Sequence, residues 1–330
     1  MAIIFSHISA LEYLRSESAF VGLDERRSDQ LTVHRFPPSK CDTFRKSAPS
    51  GRDALDQASC FHGYMSRPVH IMASSAASRC KTHDVICHVH GSRLPTGSLI
   101  RSNTDGFVCA PELCFIQMAQ LLSFVDTIQL GFELCGTYAK GNAASEGVPA
   151  RNPLTTPMHL RRYIERYHAR SGTQRAVHAL RYILPGSASP METVLAMLLH
   201  LPKRYGGYGL PAPKLNYPVE TTQTHFGERQ ARQRICDLIW PDKLVAVEYD
   251  SDLHHRDDQS IARDSIRRVE LENANVSVVT VTRAQVFNLT RMDEVAGLLF
   301  KLLGVRFQKP SVHWRAEQRR LRDELIPHFH

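Results

Sequence analysis

No apolar run in these 330 residues reaches the roughly 18–20 residues of a membrane-spanning helix, so the membrane is not an expected partner. The opening MAIIFSHISALEYLRS lacks the basic leader and small-residue cleavage site of a secretory signal. It reads as a first helix, with the cytoplasm as the expected location. No CxxC pair occurs among the eight cysteines (41, 60, 80, 87, 109, 114, 135 and 236). Reduced thiols are therefore expected, and neither a disulfide framework nor a zinc ribbon. GxSxG and HExxH are absent, and Gly206-Gly207-Tyr208-Gly209 has no Walker lysine after it. A serine-hydrolase elbow, a zincin helix and a phosphate-cradling P-loop are thereby excluded.

Acidic residues are scarce in one stretch in particular. Between Arg151 and Pro185 stand Arg151, Arg161, Arg162, Arg166, Arg170, Arg175 and Arg181 against the single acid Glu165. Most of the chain's net charge of +8 therefore lies in about a tenth of its length. Such a cluster fits a nucleic-acid face and equally a solvated helical surface.

Apolar periodicity divides the chain into four parts. Residues 1–150 read as a small α+β domain. It has a helix over Met1–Arg15, a stretch of weak pattern to about Ser78, a strand at Asp84–His90, and short strands at Ser98–Arg101 and Gly106–Cys109. A helix opened by Pro111 follows and continues toward Tyr138. Residues 151–186 form a basic helical connector with helices near 157–169 and 174–184. In residues 187–305, Ser189-Pro190-Met191-Glu192 has the cap, first-turn proline and acid of a helix start. Strands are expected at Lys214–Val219, Arg234–Trp240, Leu244–Asp250 and Val276–Thr282, with helices at Gln259–Asn273 and Met292–Leu303. The order is α-β-β-β-α-β, and the whole chain is α/β in elements and α+β overall. Residues 306–330 read as a basic C-terminal helix.

The chemistry concentrates in RICDLIWPDKLVAVEYDSDLHH, Arg234 to His255. A turn at Trp240–Lys243 returns the chain, bringing Asp237 beside Glu248, and period-two geometry puts Asp250 on the face of Glu248. Three clustered carboxylates repel unless protons or a hard cation such as Mg²⁺ neutralise them. A solvent-exposed strand end accounts for the same three acids. Cys80, Cys87, His88 and His90 suggest zinc by composition, but their spacing fits no finger and strand alternation parts Cys87 from His88. Core and surface positions of a strand are the preferred reading.

Taken together, these motifs resemble a PD-(D/E)XK restriction-endonuclease-like family related to the very-short-patch mismatch repair endonuclease. The resemblance rests on the Ser-Pro helix with Glu192, Asp237 before a short turn, the Glu248-Tyr249-Asp250 strand end, His254, and a helix carrying Asp264, Arg267 and Leu271, followed by VSVVTVT. It spans Ser189 to Leu303, about 115 residues. It departs from the family at two points: Asp250 stands where the general signature has lysine, and Ser251 replaces the usual glycine.

The resemblance implies a DNA endonuclease using Mg²⁺ or Mn²⁺. Asp237, Glu248 and Asp250 would be its metal ligands, Glu192 would complete the shell or orient a water, and His254 would transfer protons. Arg267 would neutralise the scissile phosphate, with Arg268 beside it, and Arg161, Arg162, Arg166 and Arg170 would grip the DNA backbone. Cutting both strands takes two such sites, hence the expectation of a homodimer or a cognate partner protein. DVICHVHGSRLPTGSLI and VCAPELCFIQMAQLLS resemble antitoxin-like proteins of abortive-infection systems, implying a defence or toxin–antitoxin setting. The other function class in view is a non-catalytic DNA-binding regulator or antitoxin that keeps the nuclease-like fold.

Overall fold

A computed structural model describes residues 3–20, 50–60, 65–80, 82–102, 106–140, 151–167, 172–225, 228–250 and 258–326, with backbone alone at 17–20, 223–225, 228–230 and 258–264. The chain divides into two compact units, Met1–Ile183 and Leu184–His330. With eleven α-helices and two sheets among the described residues, the architecture is α+β.

In the first unit, strands β1 (Ile4–Phe5), β2 (Val69–Ala73), β3 (Val85–Val89), β4 (Leu99–Arg101) and β5 (Phe107–Cys109) form one sheet in the order β3-β2-β1-β5-β4. β1 is antiparallel to β2 and parallel to β5, while β2 and β3 run parallel. The expected N-terminal helix starts only at His7, as α1 (His7–Phe20), because Ile3, Ile4 and Phe5 are wholly buried in a central strand. A strand covered on both faces is continuously apolar, and so short an apolar run fits a helix pattern equally well. β2 went unseen for the same reason: all five of its residues are buried, leaving no alternation to read.

Helices α2 (Gly51–Ser59), α3 (Pro111–Leu121) and α4 (Phe124–Leu134) complete the upstream part of this unit. α3 is buried from Pro111 through Ala119, apolar almost all round as an interior helix must be. The apolar stretch does not continue as one helix. Leu122 turns extended, and Ser123 caps α4 by accepting from Asp126 N at 3.0 Å.

The basic stretch is no free connector. Its helices α5 (Pro157–Arg166) and α6 (Thr173–Leu180) pack on α3 and α4 within the first unit, burying Leu160, Tyr163, Ile164, Ala176, Ala179 and Leu180. Arg151 is an interior residue, donating from Nε to Tyr138 O at 2.7 Å and from Nη2 to Glu133 O at 2.6 Å. Arg175 donates to the carbonyls of Ala119 and Leu122, which lie at the C-terminal end of α3.

The second unit follows the expected element order. Helix α7 (Pro190–His200) precedes strands β6 (Lys214–His225), β7 (Glu228–Trp240) and β8 (Val245–Asp250), then α8 (Asp258–Asn273) and β9 (Ser277–Thr282). The sheet order is β6-β7-β8-β9; the first three strands are antiparallel, and α8 makes the crossover that a parallel β8–β9 pair requires. β6 and β7 are longer than the patterning suggested, pairing from Lys214↔Ile239 to His225↔Glu228. Their outer halves carry polar residues such as Glu220, Thr221, Gln233 and Arg232 with no apolar alternation to mark them as strand.

Helices α9 (Arg283–Phe287), α10 (Leu289–Leu303) and α11 (Val312–Leu325) end the chain. The basic tail helix is docked: Trp314, Gln318, Leu321, Arg322 and Leu325 are buried. Trp314 donates to Gly207 O at 2.9 Å, and Arg315 pairs with Asp293 at 2.5 Å.

Candidate active site

Ser189 caps α7 by accepting from Glu192 N at 3.1 Å, and Pro190 occupies the first turn, as the local sequence dictates. Glu192 thus begins a helix whose next seven residues are buried, and is itself only 8% exposed. Its Oε2 accepts from Ala188 N at 2.9 Å and from Asn216 Nδ2 at 2.6 Å.

Asn216 is the residue that sequence reasoning missed. The β6–β7 pairing runs through Leu215↔Leu238 and Tyr217↔Cys236 and skips 216, which adopts φ 46°. Asparagine tolerates this left-handed conformation better than most residues with a Cβ. A lone asparagine inside the strand pattern KLNYPV was the available signal. The skipped position lies opposite Asp237, where the burial alternation of β7 also slips: Cys236, Leu238, Ile239 and Trp240 are all buried.

Asp237 Oδ2 accepts from the backbone N–H of Tyr249 at 2.8 Å. The β7–β8 register ends at Leu238↔Val247, so its next step sets Asp237 against Glu248. Glu248 Oε2 meets Arg267 Nη2 of α8 at 2.7 Å, and the same guanidinium donates to Ile235 O. Glu248 Oε1 is buried and has no hydrogen-bond partner among the described residues.

Electrostatics distinguish this cluster from a solvated strand end. Burial pushes the Glu248 carboxyl up to about 7, the charge of Asp237 adds to the shift, and Arg267 opposes it. Burial also raises Asp237, against the opposing Tyr249 N–H and Arg267. Glu192 is raised by burial and by Asp237, while its hydrogen bonds to Ala188 and Asn216 pull the other way. Asp237 therefore stands electrostatically between two other acids, the buried Glu192 and the half-buried Glu248. Such a set holds protons, or accepts a cation in their place. The Cys236 thiol is pushed up to about 12 by burial and by Glu248.

The remaining expected site residues are distributed as follows. Asp250 closes β8, half-buried and in register with Thr282. Arg268 pairs with Glu272 at 3.0 Å, one turn along the exposed side of α8. Arg161, Arg162 and Arg166 share the exposed face of α5. His254, Ser251 and Arg170 lie outside the described residues, as does the side chain of Asp264. Among the described residues, the set of three histidine, cysteine or carboxylate donors within 4.8 Å of one another is His7, His70 and His88 of the first unit. The three acids of the second unit are not drawn together that closely.

No protein-family model and no solved structure matches the chain. Over 124 residues, 36% of its length, it is 31% identical to two uncharacterized proteins of Mycobacterium tuberculosis, MT2308 of strain CDC 1551 and Rv2248 of strain H37Rv. The matched region spans 40% of each relative. Among the described residues, no helix is long and apolar enough to cross a membrane.

Proposed function

We propose that the second unit is a PD-(D/E)XK-type nuclease centre that hydrolyses phosphodiester bonds of DNA with a divalent cation, Mg²⁺ or Mn²⁺. The observation that carries this reading is a run of three acids, the buried Glu192 and the half-buried Asp237 and Glu248, with a carboxylate oxygen on Glu248 that accepts no hydrogen bond among the described residues. A hard cation suits oxygen donors of this kind. Asp237 and Glu248 would hold it, with Asp250 at the strand end beside them. When bound, the ion supplies charge stabilisation and a more acidic water.

The chain's own groups supply the rest. Asn216 fixes Glu192 so that its carboxylate stays beside Asp237. The Tyr249 N–H orients Asp237. Arg267 favours the ionised form of Glu248 and so acts through that carboxylate, beside the phosphate contact expected of it from the sequence. His254 is the group assigned to proton transfer. Arg161, Arg162 and Arg166 on the open face of α5 are suited to backbone phosphates, with Arg170 following in sequence. The N-terminal resemblance favours a defence or toxin–antitoxin setting.

Incubation with plasmid and linear DNA, with RNA as a parallel substrate, tests the reading directly. Cleavage should appear with Mg²⁺ or Mn²⁺, vanish with EDTA, and vanish in Glu248→Ala. Retained cleavage in that variant would remove the assignment. One observation favours a second reading, a non-catalytic DNA-binding regulator: Arg267 occupies Glu248 Oε2 in an ion pair at 2.7 Å. That reading predicts salt-sensitive DNA binding, weakened by Arg161→Ala and Arg162→Ala, with no cleavage under any metal.

A further inference from the structure

Three imidazoles from separate parts of the chain meet in the first unit. His7 opens α1, His70 lies on β2, and His88 lies on β3. In the parallel β2–β3 pair His70 is opposite Ile86 and Met72 opposite His88, so both histidines stand on the same face, one step apart. His70 Nδ1 and His88 Nε2 are 2.9 Å apart. The His7 ring stacks on that of His88 with centroids 3.5 Å apart and planes at 19°. His7 and His70 are 5% and 6% exposed, and His88 is half-buried.

The position of His7 is built. Its backbone adopts φ 50°, which side-chain-bearing residues rarely do. Strain of this kind persists where its surroundings enforce it. Here His7 N donates to Gln117 Oε1 at 3.1 Å, Ser6 N to His70 O at 2.9 Å, and His70 N to Ser9 Oγ at 2.9 Å. His7 Nδ1 lies 3.0 Å from the fully buried Ser6 Oγ, an outer hydrogen bond of the kind that orients ligating histidines, so Nε2 would be its ligand atom.

From this convergence we infer a transition-metal site in the first unit, with His7, His70 and His88 as ligands and Zn²⁺ as the fitting ion. Tris-imidazole coordination is a Zn²⁺ donor set that leaves a fourth position for water. Zn–N bonds of ~2.0–2.1 Å place tetrahedral donors ~3.3 Å apart. The His70–His88 pair is already near that spacing, and the whole set lies within 4.8 Å. A hydrogen-bonded histidine pair packed in the interior explains two of the rings; it gives no reason for the third to be held over them by a left-handed backbone.

Charge supports the assignment. Burial and the other two rings push His7 down to about 2, and burial, His70 and Arg79 push His88 down to about 4. Burial lowers His70 as well. Burial therefore favours the neutral rings, the form a metal needs. The opposing charge is Arg79, whose Nε donates to Cys87 O at 3.2 Å. The ion would tie the β1–α1 junction to β2 and β3, independently of the carboxylates in the second unit.

The test uses the full chain carrying Asp237→Asn and Glu248→Gln, which silences the second unit's acids, after EDTA treatment and dialysis. Zn²⁺ is titrated against a chromophoric chelator, and Co²⁺ replaces it for absorption spectra. One equivalent should bind, with a Co²⁺ spectrum of nitrogen ligands and a raised melting temperature. His70→Gln and His88→Gln should each weaken binding by about tenfold or more. Arg79→Gln, which leaves every ligand in place, should tighten it. Absence of stoichiometric binding, equal affinity in the histidine variants, or thiolate-to-cobalt charge transfer from Cys80 or Cys87 would each overturn the site.

Discussion

Asn216 donates from Nδ2 to Glu192 Oε2 at 2.6 Å while its own backbone sits at φ 46°. One residue therefore both breaks the β6 ladder opposite Asp237 and fixes the helical glutamate. These two roles can be separated. Asn216→Gly suits the backbone but removes the amide, so it should keep stability within about 1 kcal/mol of the parent. Its cleavage rate should fall, because Glu192 loses its anchor. Asn216→Asp puts a second acid against Glu192 and should lower both. Denaturant midpoints alongside turnover on plasmid DNA check this, and unchanged turnover in Asn216→Gly would detach Glu192 from the chemistry.

The raised Glu248 carboxyl has a signed consequence for stability. Its folded value of about 7 lies above the ordinary 4.5 of a glutamate, so between those pH values the folded state binds more protons than the unfolded state. Stability from this group is complete below about pH 4.5 and is lost as pH rises through 7, by about 3 kcal/mol at 1.36 kcal/mol per unit. The side chain is 16% exposed, so solvent screening removes little of this. Urea unfolding without divalent ions should show the decline, and Glu248→Gln should flatten it. Mg²⁺ should stabilise the protein more at pH 8 than at pH 5.

Arg267 opposes the upward shift of Glu248 from 2.7 Å away. Arg267→Ala should therefore move the acid limb of the pH–cleavage profile to higher pH, because Glu248 then ionises later. A rise in activity at every pH, with no shift of the limb, would show instead that the guanidinium competes with the metal.

In the first unit, Glu133 is 1% exposed and accepts both Arg15 Nε and Arg15 Nη2 at 2.8 Å. Burial alone would raise its carboxyl; Arg15, with help from Arg151, pulls it below the usual value. Glu133→Gln should destabilise the protein by about 3–5 kcal/mol, since it leaves buried guanidinium charge uncompensated. Chemical denaturation measures this, and a loss under 1 kcal/mol would mean that water reaches the pair.

What the sequence determined by itself is local. Ser189-Pro190 starts a helix, the turn at Pro241 returns one strand onto another, and β-branched VSVVTVT forms the last strand. Those signals repeat over a few residues, so they fix the element order of the second unit and the pairing of Asp237 with Glu248. Where burial was complete, as in Ile3–Phe5 and β2, no alternation survived to mark a strand. Tertiary structure alone decided which face each helix covers. Packing put Arg267 on Glu248, turned Arg151 inward from an apparently open basic stretch, set Arg175 on the carbonyls that end α3, and gathered His7, His70 and His88 from positions 63 and 18 residues apart. Contacts of that kind leave no periodic trace, because they depend on how sheets and helices stack and not on the neighbours of any one residue.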